Sequence, residues 1–193
     1  MELKEARKLV KKLKVGDIVL ISEKGLKHML NKLLQRSKWN HVMLYMGKGQ
    51  TMEVTPRNGA HICDLMHDLT EKPYAAWKAL RFKKLTDSQR KSITKTALKL
   101  FKGKKFAPVQ YAKIILGRSL HWKMNGNRSM VCKPNHTCNI ESVVCSNMVA
   151  IAYYEAGYPI IARYMPEYVI PKDYESSTEL SKVTEGKANS SLA

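Results

Sequence analysis

Between His41 and Thr55 the chain carries two β-prone runs, His41-Val42-Met43-Leu44-Tyr45-Met46 and Thr51-Met52-Glu53-Val54-Thr55, joined by Gly47-Lys48-Gly49. Such runs around a glycine turn fold back on each other as an antiparallel hairpin. This hairpin commits the chain to a sheet, and neighbouring segments extend it. Gly16-Asp17 ends an amphipathic helix over residues 2–13, and Ile18-Val19-Leu20-Ile21 reads as a buried strand. Gly59 to Cys63 and Ala75 to Phe82 are expected as two further strands. Helical periodicity marks a second helix from Leu26 to near Arg36, and another runs from Thr86 to about Phe101. Thr86 with Gln89 three residues on forms a capping box at the start of the latter. Pro108–Leu116 reads as helical, residues 117–139 as a long polar loop, and Ile140–Ala156 as a helix closed by Gly157. The expectation is one α+β domain over residues 1–174 and a polar, disordered tail over residues 175–193.

The apolar runs are too short to span a bilayer, and residues 1–17 alternate charge with Leu and Val instead of forming a signal-peptide core. The expected location is the cytoplasm, with peripheral membrane or envelope association open to so basic a chain. Lys and Arg number 34 against 16 acidic residues, a formal charge of +18. Such a field attracts anionic lipid, acidic glycopolymer or nucleic acid. The basic residues are spread through nearly every segment, and no aromatic RNA-binding signature, helix-turn-helix or zinc-finger spacing accompanies them. Nucleic acid is therefore not the expected partner.

Cys145 lies in or near the first turn of the expected helix beginning at Ile140. Unpaired backbone N–H groups and the helix dipole favour a thiolate there, and the same groups can stabilise an oxyanion. A lone helical cysteine is more often a small core hydrophobe; His41 and Glu53 shift that balance. In a hairpin pivoting at Lys48, offsets of seven back and five on bring His41 and Glu53 together. A carboxylate that holds one imidazole nitrogen turns the other toward a thiol, which is how nucleophile, base and orienting group cooperate in cysteine enzymes. Cys145, His41 and Glu53 are thus the candidate catalytic residues, with Asn40, Ser146 and Tyr111 as substrate-binding candidates.

The order of four segments, Gly16-Asp17-Ile18-Val19-Leu20, Asn40-His41-Val42-Met43-Leu44-Tyr45-Met46-Gly47, Met52-Glu53-Val54-Thr55-Pro56 and Val144-Cys145-Ser146-Asn147-Met148-Val149, resembles the permuted NlpC/P60 superfamily. The branch it is most similar to is the YiiX/YebB-like group with its poxviral relatives. Ile170-Pro171-Lys172-Asp173-Tyr174 resembles that group's closing Pro-Asp-Asp motif, so the resemblance spans roughly residues 14–175. It implies a circularly permuted papain-like fold, with an antiparallel sheet or small barrel packed on helices and the histidine preceding the cysteine. It also implies hydrolysis of an amide or ester bond through a thioacyl intermediate, on a cell-wall peptide or a lipid-linked acyl group. Asn147 stands where the family commonly carries Glu, which removes a charge from that helix position. A neighbouring acyltransferase branch usually places a second histidine near the position of Glu53, so Glu53 favours the YiiX-like branch, and lipid acyl transfer is the alternative within the fold. Outside it, the alternative is a non-enzymatic polyanion-binding protein.

No metal or organic cofactor is required by this chemistry. Cys132, His136, Cys138 and Cys145 have ligand-type side chains, yet their gaps of three, one and six residues match no standard zinc knuckle. A Cys132–Cys138 disulfide would need an oxidising compartment. His28, His61, His67 and His121 show no partner pattern and read as surface histidines, and Cys63 reads as a packing residue in a strand.

Overall fold

The computed structural model describes residues 3–25, 29, 32–33, 36–72, 74–123, 138, 140–141, 143–161 and 164–187, with the main chain alone for 119–123. Its strands are β1 (Ile18–Glu23), β2 (His41–Gly47), β3 (Gln50–Thr55), β4 (Gly59–Asp64), β5 (Tyr74–Phe82) and β6 (Leu180–Lys187). Its helices are α1 (Leu3–Lys12), α2 (Leu65–Glu71), α3 (Asp87–Phe101), α4 (Pro108–Lys123), α5 (Cys145–Glu155) and α6 (Pro171–Ser176). The strands form one antiparallel sheet in the order β4-β3-β2-β1-β5-β6. The sheet is open, with β4 and β6 at its edges, so the barrel alternative is replaced by a sheet with helices on both faces.

Strand alternation sorts the core into two layers. Ile18, Leu20, Val42, Leu44, Met52 and Val54 point to one face, where Ile93, Ala97 and Phe101 of α3 and residues Met148–Tyr153 of α5 cover them. Val19, Ile21, Met43, Tyr45, Trp77 and Ala79 point to the other, under Ala6 and Leu9 of α1 and Leu65 and Leu69 of α2. A central strand buried on both faces has no solvent side, which is why β1 reads as the unbroken run Ile-Val-Leu-Ile. The β2–β3 connection is tight: Gly47 pairs with Gln50, and Lys48 and Gly49 between them have φ of 52° and 78°. Positive φ at both central residues is the type I′ pattern, whose twist matches the flanking strands.

Three sequence expectations are corrected, and one helix was not anticipated. Helix α4 continues to Lys123, seven residues into the stretch read as a loop, whose remainder lies largely outside the described residues. Helix α5 starts at Cys145 instead of Ile140, because Val143 is held in a bridge with Phe106 and Val144 has extended dihedrals. The short helix α2, capped by the Asp64 side chain on the His67 N–H, carries too few residues for a periodic signal. The tail read as disordered from residue 175 instead completes α6 and forms β6 through Lys187. An edge strand with one wet face needs little apolar sequence, since its cohesion comes from main-chain bonds to β5. The helix expected from Leu26 to Arg36 falls mostly outside the described residues, within which Met29, Lys32 and Leu33 are helical. Among the described residues no helix is long and apolar enough to cross a membrane.

The Gly16-Asp17 turn is tied into almost every layer. The fully buried Asp17 carboxylate accepts bonds from Arg81 at 2.9 and 2.7 Å and from the Lys14 N–H at 2.8 Å, and Arg90 lies 3.5 Å away. Tyr153 of α5 donates its hydroxyl to the Gly16 carbonyl. Removing one member of a buried pair strands the other, which costs about 3–5 kcal/mol. Asp17→Asn is therefore expected to lower the unfolding free energy by about 3 kcal/mol, read as a shifted urea midpoint at unchanged slope. A loss below about 1 kcal/mol would show the pairing to be energetically idle.

Candidate active site

The hairpin supplies His41 and Glu53. His41 opens β2 opposite Ile21, and its neighbour Asn40 is fixed by two bonds to Glu23, one from the Glu23 N–H at 2.8 Å and one to its carboxylate at 2.9 Å. Continuing the observed Tyr45–Thr51 and Leu44–Met52 register by one residue sets Glu53 opposite Met43, diagonal to His41 on the same face. His41 Nε2 and Glu53 Oε2 lie 2.6 Å apart, with Glu53 1% exposed. Burial pushes the Glu53 pKa up, but the His41 hydrogen bond and charge, then Lys72 and His61, outweigh it and hold the carboxyl at about 2.

Helix α5 supplies the thiol. Cys145 is its first residue, on the partly exposed side, after the extended Val144. The Asn147 side chain accepts the Val144 N–H at 2.8 Å, a capping bond that needs no charge. Its amide nitrogen is buried without a hydrogen-bond partner among the described residues. Tyr174 of α6 donates to the Ser146 carbonyl and pins the same turn from below.

These two parts meet at the His41 ring. Burial disfavours a charged imidazole, but interaction with the Cys145 side chain by charge and hydrogen bond, and then with Glu53, raises the His41 pKa well above its ordinary value. With Nε2 held by Glu53, Nδ1 is the nitrogen left for the thiol. The first-turn N–H groups of α5, which lack helical partners, adjoin the sulfur. The arrangement places a thiol, an imidazole and free helix N–H donors together, a grouping compatible with a thiol hydrolase.

The substrate-binding candidates are placed around this group. The Asn40 side chain is engaged with Glu23, Ser146 is buried, and Tyr111 packs against Phe106 at 6.0 Å between ring centroids. Burial and then the charge of Glu53 push the Cys63 thiol well up, so it stays protonated, and its sulfur lies 3.1 Å from the Thr51 hydroxyl. Cys132 and His136 lie outside the described residues, and with them the disulfide and the four-ligand set considered from sequence. Sequence reasoning missed His61 and Lys72, which approach Glu53 Oε1 at 3.3 and 3.4 Å. The signal for His61 was the pairing of β3 with β4, which sets Glu53 directly opposite it.

No family model matches the sequence, and no curated protein does. Among solved structures the chain is similar to the crystal structure of the metalloprotein YiiX from Escherichia coli O157:H7, with a TM-score of 0.63 and 12% identity. The match covers 92% of this chain and 99% of that one. At such identity the likeness concerns the fold: this is an α+β protein with a YiiX-like fold.

Proposed function

We propose that the protein is a thiol hydrolase of the permuted papain-like type, with Cys145 as nucleophile, His41 as general base and acid, and Glu53 as the group that orients the imidazole. The observation that carries this reading is the single ring of His41, shared between a buried carboxylate and a thiol at a helix start. The Cys145 proton passes to His41, and the thiolate attacks an amide or ester carbonyl. First-turn N–H groups of α5 receive the developing oxyanion. Collapse of the tetrahedral adduct breaks the scissile bond, and His41 returns the proton to the departing amine or alcohol. Water, deprotonated by His41, then cleaves the thioacyl bond and releases the acid.

The NlpC/P60-type relationship is part of this proposal, as is a substrate that is a cell-wall peptide or a lipid-linked acyl group. A chain of charge +18 suits a substrate presented on an anionic surface, and a cytoplasmic site of action with peripheral membrane attachment accords with that charge. Lipid acyl transfer uses the same steps with an alcohol or amine in place of water.

Iodoacetamide is expected to label Cys145 at least tenfold faster than Cys63, by peptide mass mapping, because the Cys145 side chain interacts with the His41 imidazole while burial and the Glu53 charge push the Cys63 thiol up. His41→Ala should slow Cys145 labelling by about a hundredfold, and Glu53→Gln by a smaller factor. Equal, slow labelling of all cysteines would sink the catalytic reading. With a p-nitrophenyl ester, mass spectrometry should detect one acyl group on the Cys145 peptide, absent in Cys145→Ala. A protein that only binds polyanions would form no such adduct and would show salt-dependent binding indifferent to Cys145→Ala.

A further inference from the structure

Behind the proposed triad, on the same face of the β3–β4 ladder, lies a second group of chemically capable side chains. Glu53 stands opposite His61, and Thr51 opposite Cys63. Residues two apart in a strand share a face, so His61 and Cys63 project alongside Glu53. One carboxylate oxygen of Glu53, one ring nitrogen of His61 and Cys63 Sγ all lie within 4.8 Å of one another, with Glu53 buried and the other two half-buried. Glu53 Oε2 is occupied by His41, so Oε1 is the oxygen turned toward this group.

The hydrogen bonding of His61 makes the arrangement unusual. Its Nδ1 lies 3.0 Å from the Gly59 carbonyl oxygen, which can only accept, so Nδ1 carries a proton. In the neutral ring, Nε2 then presents a lone pair to an ionised carboxylate oxygen 3.3 Å away. Either a proton on Nε2 or a bound cation can lie between these two atoms. Lys72 also faces Oε1, its Nζ 3.4 Å away, and makes its shorter bond, 2.6 Å, to Asp68.

We propose that Glu53 Oε1, His61 Nε2 and Cys63 Sγ bind a divalent cation of the zinc class, with water as the fourth ligand. Zinc bonds of about 2.0 Å to N and O and 2.3 Å to S place tetrahedral ligand atoms roughly 3.3–3.7 Å apart. The Glu53–His61 separation of 3.3 Å already meets that spacing, and the Cys63 sulfur lies within 4.8 Å of a ligand atom of each. A carboxylate, imidazole and thiolate set favours zinc over magnesium or calcium. The supporting bonds are in place as well. The Gly59 carbonyl fixes the His61 tautomer that frees Nε2, and the Thr51 hydroxyl, 3.1 Å from Cys63 Sγ, can donate to a metal-bound thiolate. Binding exchanges the Cys63 S–H bond for a metal–sulfur bond and releases one proton to solvent. The site shares Glu53 with the proposed triad but does not depend on Cys145 chemistry.

The test uses the full chain, stripped with a chelator and titrated with zinc chloride against a competing chromophoric chelator. One zinc per chain is expected. Cys63→Ser and His61→Ala should each weaken binding at least tenfold, and Cys145→Ala should leave affinity and stoichiometry unchanged. Cobalt(II) in place of zinc should give a near-ultraviolet thiolate charge-transfer band that survives Cys145→Ala and disappears in Cys63→Ser. If His61→Ala does not fold, the nearly isosteric Cys63→Ser and zinc protection of Cys63 from alkylation in the Cys145→Ala protein decide the matter. The proposal is overturned if no zinc is retained or if Cys63→Ser binds as tightly as the parent chain. Loss of zinc in Cys145→Ala also overturns it, because that result places the ion at the triad.

Discussion

A carboxylate with no solvent contact sits where most of the elements of this fold converge, and the positions of the others follow from how its charge is met. Asp17 is satisfied by Arg81 from β5, by the Lys14 main chain at the end of α1 and by the nearby Arg90 of α3. Its backbone carbonyl accepts the Tyr45 N–H from β2 at 2.8 Å. Gly16, at φ 83°, accepts the Tyr153 hydroxyl of α5. The hairpin that carries His41 and the helix that carries Cys145 are thus referenced to the same two residues. Without that common anchor, the meeting of thiol and imidazole would rest on apolar packing alone, which fixes depth better than it fixes orientation.

Much of this was legible in the sequence, because the informative signals were local. Gly47-Lys48-Gly49 specifies a hairpin, and the hairpin specifies the separation of His41 and Glu53, so the 2.6 Å contact follows from counting residues. The capping box at Thr86 likewise needs only four consecutive residues, and both of its bonds form. What could not be read depends on distant partners. The start of α5 is set by a bridge from Val143 to Phe106, a residue 37 positions earlier in the chain. Strand β6 exists because β5 offers an unpaired edge. His61 acquires meaning only when β4 returns alongside β3, and taken alone it is indistinguishable from the exposed His67.

Glu53 shows how one buried group can face two directions. Its two oxygens are divided, Oε2 to His41 and Oε1 toward His61 and Lys72. A carboxylate 1% exposed and held ionised incurs a desolvation cost that a single neutral partner would not offset. Three basic side chains around it make the anionic form the stable one. The same division lets a change on the Oε1 side reach the imidazole without moving any backbone.

The order of the segments along the chain has a consequence for how reactivity arises during folding. The His41–Glu53 pair closes a loop of a dozen residues and can form as soon as the hairpin does. Cys145 follows roughly a hundred residues later, and such long-range contacts form slowly. Until α5 docks through Tyr153 and Tyr174, its cysteine has neither a structured helix terminus nor an imidazole, and it behaves as an ordinary thiol. An unfinished chain therefore holds the His41–Glu53 pair before Cys145 can reach it. The surroundings of the thiol are thus set by long-range packing, and those of the imidazole by local strand pairing.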